Sequence, residues 1–291
     1  MSNVRAVSWS KQQRPEAKAN PGVVVEFPGS DSPMPGHYDT IFYLIRQTIG
    51  ARHVTIQLDG EPRPPADDHM ACIEAPLVSQ GRRFGTLRAY AEEFESGASH
   101  LLAGFAVLVA EQHALWSEAH LDVLTKALTR RAFMSDLGRA SATYQRSGRP
   151  CSLIMFDLDH FKAVNDTHGH AAGDAVLRAV AHVVQSELRR CDLLGRLGGE
   201  EFGVLIMADH VTALDIAERL RAVVEATVVR DYPEIAFTAS LGVATTDETT
   251  DTRDAMIALA DARLYAAKEG GRNQVLGAEG MMEIAALQAA E

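Results

Sequence analysis

The run CSLIMF, Cys151–Phe156, is apolar almost without a break and leads straight into Asp157, Leu158 and Asp159. A strand with one face in water alternates apolar and polar residues, whereas a strand apolar at nearly every position needs cover on both faces. This stretch therefore predicts a central strand between two packed layers, with a carboxylate where the chain leaves the core. From about Ala119 onward, helical and strand-like segments alternate around it. Helices are predicted over 129–148, 173–190, 211–224 and 252–270, the second with Val176, Val180, Val183, Val184 and Leu188 on its inner side. A strand is predicted over 236–245, and residues 193–207 read as two strands meeting at Gly198–Gly199, a dipeptide suited to a tight hairpin. The last segment, 281–291, is short, apolar and helical in spacing. That order predicts an α/β (α+β) domain with a central, mostly antiparallel or mixed sheet.

The first part of the chain is different. Residues 1–36 are rich in Pro, Ser and Gly without sustained periodicity, as expected of a flexible arm, with VVVEF from Val23 as a short strand within it. Residues 37–118 form a smaller pattern. Ile41, Leu44, Ile45 and Ile49 have helical spacing, HVTIQL alternates like a strand, and PRPPADD is a loop. ACIEAPLVSQGRRFGTLRAYAE then reads as two strands joined by a polar glycine turn, and a helix follows from about Ser99 to Glu118. That order, with the phrase APLVSQGRRFGTLRAY, resembles a GAF domain, which implies a sensory or dimerising unit. Leu101, Leu102, Phe105, Leu108 and Val109 give the helix a wide apolar stripe, and helical character continues through EQHALWSEAHLDVLTKAL. Such a stripe serves either a parallel dimer stalk or packing onto the helix's own domain.

Length and composition narrow the classes. A chain of 291 residues suits two domains better than one, and 46% hydrophobic content is enough for a real core. A net charge of −11 argues against a nucleic-acid binder, and an acidic protein that handles phosphates needs local cations, from side chains or a metal. Cys72, Cys151 and Cys191 are far apart with no CxxC, as expected of reduced thiols. The N-terminal residues show no hydrophobic leader, and LLAGFAVLVA from Leu101 falls well short of the ~20 residues of a membrane span. No membrane partner and a cytoplasmic location are expected.

The chemistry centres on RLGGEEF, Arg196–Phe202. Adjacent carboxylates repel, so Glu200 and Glu201 serve solubility, a turn, or a cation. Asp157 and Asp159, two apart, project from one face if the strand continues, although a solvated strand end looks the same. If the Gly198–Gly199 tip lies beside that strand, Glu200 approaches Asp157. Two converging carboxylates bind a hard divalent cation such as Mg²⁺, the remaining positions going to water and substrate phosphates. Glycines at the tip leave room for close approach to the backbone.

With DVLTKALTRRAF at Asp122, FDLDHFKAVNDTHGHAAGDAVL at Phe156 and YAAKEGGRNQV at Tyr265, the RLGGEEF stretch resembles the GGDEF domains, the diguanylate cyclases. Four separately spaced motifs in order, over about residues 119–277, make the resemblance specific. It implies a palm-like fold related to nucleotide polymerases and class III nucleotidyl cyclases, and condensation of two GTP to cyclic di-GMP by a homodimer. It also implies roles. Asp157, Glu200 and the Leu158 carbonyl would hold Mg²⁺, with Mn²⁺ as the alternative ion; Glu200 would help deprotonate the ribose hydroxyl, with Glu201 in support. Lys162, Lys268 and Arg272 would meet phosphates, although a solvated helix end accounts for the last two without the motif. Asn165 and Asp174 would read guanine, with His170 shaping the pocket, and Gly198 and Gly199 would admit substrate. Arg189 and Asp192, an RxxD ending six residues before Gly198, would form an inhibitory product site.

The departures are Lys126, where the family usually has Gly, and Glu for Asp at position 200. Other classes that fit are a non-catalytic cyclic di-GMP or GTP receptor, and an ATP-using cyclase, which Asp174 disfavours because adenine lacks the N1–H and 2-amino donors that a carboxylate accepts.

Overall fold

The computed structural model describes residues 38–59, 70–189, 191–248 and 253–278. The expected arm with its VVVEF strand, the PRPPADD loop and the terminal 281–291 helix lie outside them.

The N-terminal unit follows the expected order. Helix α1, Asp39–Ile49, ends on Gly50 in the left-handed conformation, φ 69°, a common helix stop. Strands β1, His53–Leu58, β2, Ala71–Ser79, and β3, Arg82–Ala91, form an antiparallel sheet in the order β1-β3-β2. Gln80 and Gly81 close the β2–β3 hairpin, both at positive φ (49° and 76°), the twist that suits a two-residue hairpin loop. Helix α2, Ala98–His120, and α1 pack on the sheet through Ile45, Ile49, Leu77, Leu87, Ala89, Leu102 and Val109. The opposite face is polar: Arg88, on the central strand, donates to Glu74 at 3.1 Å and to Gln57 at 2.6 Å.

The predicted apolar stripe is divided by this packing. Leu102 and Val109 are fully buried, but Leu44, Leu101 and Leu108 remain 46%, 46% and 58% exposed. Leu115, on the same helix, is also exposed.

Helical character does not run on into the second half. Helix α2 stops at His120, and Leu121 is extended at φ −101°, ψ 140°. The cause is Asp122, whose side chain offers the backbone a turn in place of a helix. Its Oδ1 accepts from the Thr125 amide at 2.9 Å and hydroxyl at 2.7 Å. The Asp122 amide donates to the Ala127 carbonyl at 2.7 Å, closing the turn. Lys126 takes the left-handed conformation here, φ 61°, so the turn survives the loss of glycine.

The second unit is a six-stranded sheet, order β4-β6-β7-β5-β8-β9. Its elements are β4, Leu128–Thr129; α3, Arg130–Ser147; β5, Ser152–Leu158; α4, Phe161–His168; α5, His170–Glu187; β6, Leu193–Arg196; β7, Glu201–Ile206; α6, His210–Glu225; β8, Ala239–Thr245; α7, Arg253–Glu269; and β9, Val275–Leu276. The four inner strands are antiparallel and both edge strands run parallel to their neighbours, so the sheet is mixed but mostly antiparallel, as expected.

β5 lies inside the sheet and is buried along its whole length. Ile154, Phe156 and Leu158 join the layer that includes Val176, Val180 and Val184 of α5 and Ala217 and Leu220 of α6. Leu153 and Met155 point the other way, to Phe133 and Leu137 of α3 and Met256, Ala260 and Leu264 of α7. Truncating a side chain such as Phe156 to alanine in such a core costs about 3–5 kcal/mol. The α5 helix begins at His170, three residues before the predicted start, because Gly169 at φ 84° ends α4 and begins the next helix at once.

The turn at Asp122 is tied to the RLGGEEF hairpin. Arg196 Nη1 donates to Asp122 Oδ1 at 3.0 Å, and its Nε and Nη2 donate to the Gly199 carbonyl at 3.2 and 2.7 Å. Burial pushes the Asp122 carboxyl up, but Thr125 and Arg196 outweigh it and hold its pKa below the ordinary 3.8. A depressed carboxyl stabilises the fold above its ordinary pKa and loses that contribution as pH falls through the folded value. Asp122→Ala is expected to lower stability at pH 7 by roughly 1–3 kcal/mol, the cost of hydrogen bonds to a charged group left unmade. In urea unfolding, the gap between variant and wild type should narrow as pH falls below 3.8. A gap that does not change with pH would disprove the role given to the carboxylate.

Candidate active site

Three segments meet at the ends of β5 and β7. β5 delivers Asp157, 7% exposed, and the antiparallel register sets Glu201 of β7 directly opposite it, with Ser240 of β8 on the other side. Directly opposed residues project to the same face of a sheet, so Asp157 and Glu201 share one. Glu200 sits at the hairpin tip, one residue before the strand.

The tip is built tightly. The amides of Leu197 and Gly198 both donate to the Glu201 carbonyl, at 2.8 and 3.2 Å. A Cβ on Gly198 would lie 2.3 Å from the Glu201 carboxylate, whereas one on Gly199 would meet nothing within 4 Å. A side chain at position 198 would therefore have to turn the Glu201 carboxylate aside, while the space at Gly199 is open.

The electrostatics mark the cluster. Burial pushes the Asp157 carboxyl up; Lys268 pulls it down, and Glu201 and Asp159 raise it further, leaving it above its ordinary value. Burial likewise raises Glu200, with Asp157 and Glu201 adding to the rise and Lys268 opposing it. The register that sets Glu201 opposite Asp157 brings the tip, with Glu200, beside the end of β5. Lys268, near the end of α7, places Nζ 3.0 Å from Asp157 Oδ1.

Asp159 does not join them as a free ligand. β5 ends at Leu158, so the two-residue alternation stops before it. Its Oδ1 accepts from Ser240 at 2.7 Å, and its Oδ2 accepts from the Thr238 hydroxyl at 2.6 Å and the Asn273 amide at 3.0 Å. Asp159 thereby fastens the turn after α7 to the end of β5, which sets the position of Lys268. Arg272 lies in that turn, exposed, at φ 65°, with its amide donating to the Ala267 carbonyl.

The expected base-reading residues gather at the α4–α5 junction. Asn165 packs against Gly173, where a Cβ would fall 2.0 Å from its Oδ1. Asp174 follows on α5, and His170 begins that helix; both are exposed. Lys162 pairs with Asp166 one turn on, at 2.5 Å, with 84% of its side chain exposed. An exposed pair of this kind contributes little, so the ammonium is readily drawn elsewhere.

The two residues of the RxxD pair are bonded to each other through the backbone. Asp192 is buried, and its Oδ2 accepts from the Arg189 backbone amide at 2.9 Å, while its own amide donates back to the Arg189 carbonyl. Asp192 thus holds the turn that leaves the Arg189 side chain exposed.

Three features have no clear sequence signal: the Lys268–Asp157 pair, the anchoring of Asp159 by Thr238 and Ser240, and the bond from Arg196 to Asp122. Their partners stand 74 to 111 residues apart in the chain, Thr238 on an irregular segment.

Among the described residues, no three His, Cys, Asp or Glu side chains form a metal cage of their own. Asp157 at the end of β5 and Glu200 at the hairpin tip nevertheless present hard oxygen donors, and such a partial set fits Mg²⁺, which commonly takes one or two carboxylates and completes its shell with water and substrate phosphates.

Residues 119–274 match the family described as "Diguanylate cyclase, GGDEF domain". The probable diguanylate cyclase DgcT of Escherichia coli is 42% identical over 163 residues, which cover 54% of this chain and 35% of that protein. Diguanylate cyclase A of Treponema denticola is 33% identical over 188 residues, covering 63% of this chain and 51% of the relative. The matches therefore span about a third to a half of these relatives' length. Among solved structures, the coiled coil and GGDEF domain of DgcB from Caulobacter crescentus, in complex with c-di-GMP, superposes with a TM-score of 0.55 at 31% identity, covering 62% of this chain and 96% of that one. The diguanylate cyclase SiaD of Pseudomonas aeruginosa, in complex with its activator SiaC, gives 0.54 at 37% identity, covering 58% and 65%. With its family match covering more than half of its length, this chain belongs to the GGDEF-domain diguanylate cyclase family.

Proposed function

We propose that the protein condenses two molecules of GTP into cyclic di-GMP and two pyrophosphates. The observation that carries this reading is the strand register that sets the hairpin tip, with Glu200, beside Asp157 and the Lys268 ammonium. Each ribose 3′-oxygen forms a bond to the α-phosphorus of the other GTP, the bond from that phosphorus to the β-phosphate oxygen breaks, and pyrophosphate leaves. Glu200, at the tip one residue before β7, is assigned to accept the proton lost by the 3′-hydroxyl. Asp157, Glu200 and the Leu158 carbonyl would hold Mg²⁺ or Mn²⁺, which supplies charge neutralisation on the phosphates and acidifies a coordinated hydroxyl. Lys268, Arg272 and Lys162 are assigned to the phosphates, and Asn165 and Asp174, with His170 beside them, to guanine. Glu201, opposite Asp157, supports the carboxylate cluster.

One catalytic unit holds one GTP in this reading, so closing the ring needs a second copy. The exposed apolar side chains of Tyr43 and Leu44 on α1 and of Leu101, Val107, Leu108 and Leu115 on α2 support a homodimer through this face. Leu101, Leu108 and Leu115 recur every seven residues, the spacing of a helix seam. We assign residues 37–118 to a GAF-like sensory and dimerising unit and 119–277 to the catalytic one, in the cytoplasm. No helix of the described residues is long and apolar enough to cross a membrane. Arg189 and Asp192 are assigned to product inhibition, with the exposed Arg189 side chain as the contact and Asp192 as the residue that holds it out.

Glu200→Gln should reduce cyclic di-GMP formation from GTP and Mg²⁺ by about a hundredfold or more while circular dichroism shows an intact fold. Near-normal turnover would refute the assignment. Arg189→Ala should raise the product concentration needed for half-inhibition; an unaltered inhibition curve would remove the arginine from that site. Leu108→Glu should shift sedimentation toward the monomer and lower turnover with it, and a persistent dimer would exclude this seam.

A further inference from the structure

We propose that the Lys268 ammonium is the resident counter-ion of Asp157 when no divalent cation is bound, and that metal loading displaces it toward the nucleotide's phosphates. This rests on the reading of Asp157 as a metal ligand.

The geometry is that of a pair with one fixed and one movable partner. Asp157 lies in the central strand, its side chain 10% exposed and flanked on both sides by paired strands. Lys268 is 31% exposed on a flexible four-carbon stem and reaches the carboxylate from the last turn of α7. The backbone behind it is fastened: Arg272 bonds back to Ala267, and Asn273 donates to Asp159 Oδ2. A change of partner therefore needs only side-chain rotation.

Nζ stands 3.0 Å from Asp157 Oδ1, and a magnesium ion would sit about 2.1 Å from the carboxylate oxygen it used. Two cations side by side on one carboxylate repel, and in a partly buried site that repulsion is poorly screened. Lys268 also moderates the carboxylates: it opposes the charge repulsion on both Asp157 and Glu200. Without it, three nearby acidic groups would have no close cation among the pairs formed by the described residues. The same ammonium thus steadies the metal-free cluster and, once released, becomes a ligand for the triphosphate. Metal and nucleotide then favour each other: metal frees the lysine, and phosphates that draw the lysine away clear the carboxylate. Linkage makes that coupling reciprocal.

The test measures Mn²⁺ binding to the nucleotide-free, full-length protein by the electron paramagnetic resonance signal of the free ion. Lys268→Met should bind Mn²⁺ about tenfold tighter than wild type, within the usual range of coupling between neighbouring sites. Lys268→Arg, which keeps the charge, should stay near wild type. With metal present, a non-hydrolysable GTP analogue should bind Lys268→Met more weakly. Lys268→Gln gives the same reading should the methionine variant fail to fold. Mn²⁺ binding that requires Asp157, shown by its loss in Asp157→Asn, yet is unchanged or weakened in Lys268→Met overturns the exchange and leaves the metal site standing. Mn²⁺ binding that Asp157→Asn leaves intact, or no binding at all, removes both.

Discussion

Because strand β5 has apolar side chains on both faces, it can exist only inside a three-layer stack, and the rest of the catalytic unit is arranged to provide one. Helices α5 and α6 cover one side and α3 and α7 the other, while β7 and β8 take up its backbone bonds along both edges. The strand's end is the one place where this burial stops. A carboxylate there inherits a low-dielectric floor, which raises its pKa and makes a nearby cation necessary. The same packing that stabilises the fold therefore creates the electrostatic demand that the site answers.

Neighbouring strands deliver the other groups by register. Pairing Asp157 with Glu201 fixes the hairpin tip, and Glu200 follows from the tip's geometry. β8 brings Ser240 to the other side, where it and Thr238 hold Asp159, and Asp159 in turn holds the turn that carries Arg272 and positions Lys268. Two aspartates with similar sequence surroundings thus do opposite work. Asp157 keeps its charge for a cation, and Asp159 has both oxygens committed to the scaffold.

Arg196 adds a mechanical link. Its guanidinium joins the Asp122 turn, where the α2 helix ends, to the Gly199 carbonyl at the tip. A planar group with several fixed donors suits such a bridge, since one side chain can satisfy two segments at once. The first unit, through α2, is therefore one turn and one arginine away from the residues assigned to catalysis.

Much of this was legible in the chain. The unbroken apolar run predicted the central strand, the glycine pair predicted the hairpin, and helical spacing placed α5, α6 and α7 closely. Local chemistry decides these features, so local sequence reports them. What the chain read alone misjudged or left open were competitions. Helical character past His120 lost to the Asp122 side chain, and of the α2 stripe, for which a stalk and packing on its own domain were both open, Leu102 and Val109 pack while Leu101 and Leu108 stay exposed. Asp192, expected in a product site, also holds its own turn, a bond that only the fold shows. The sequence by itself determined which residue types are present for phosphate chemistry and that one strand must be buried. Only the tertiary structure decided which aspartate has both oxygens committed to the scaffold and which is left to face the Lys268 ammonium. The physical reason is that a charge finds its partner by distance in space, and strand pairing sets that distance between residues more than a hundred positions apart.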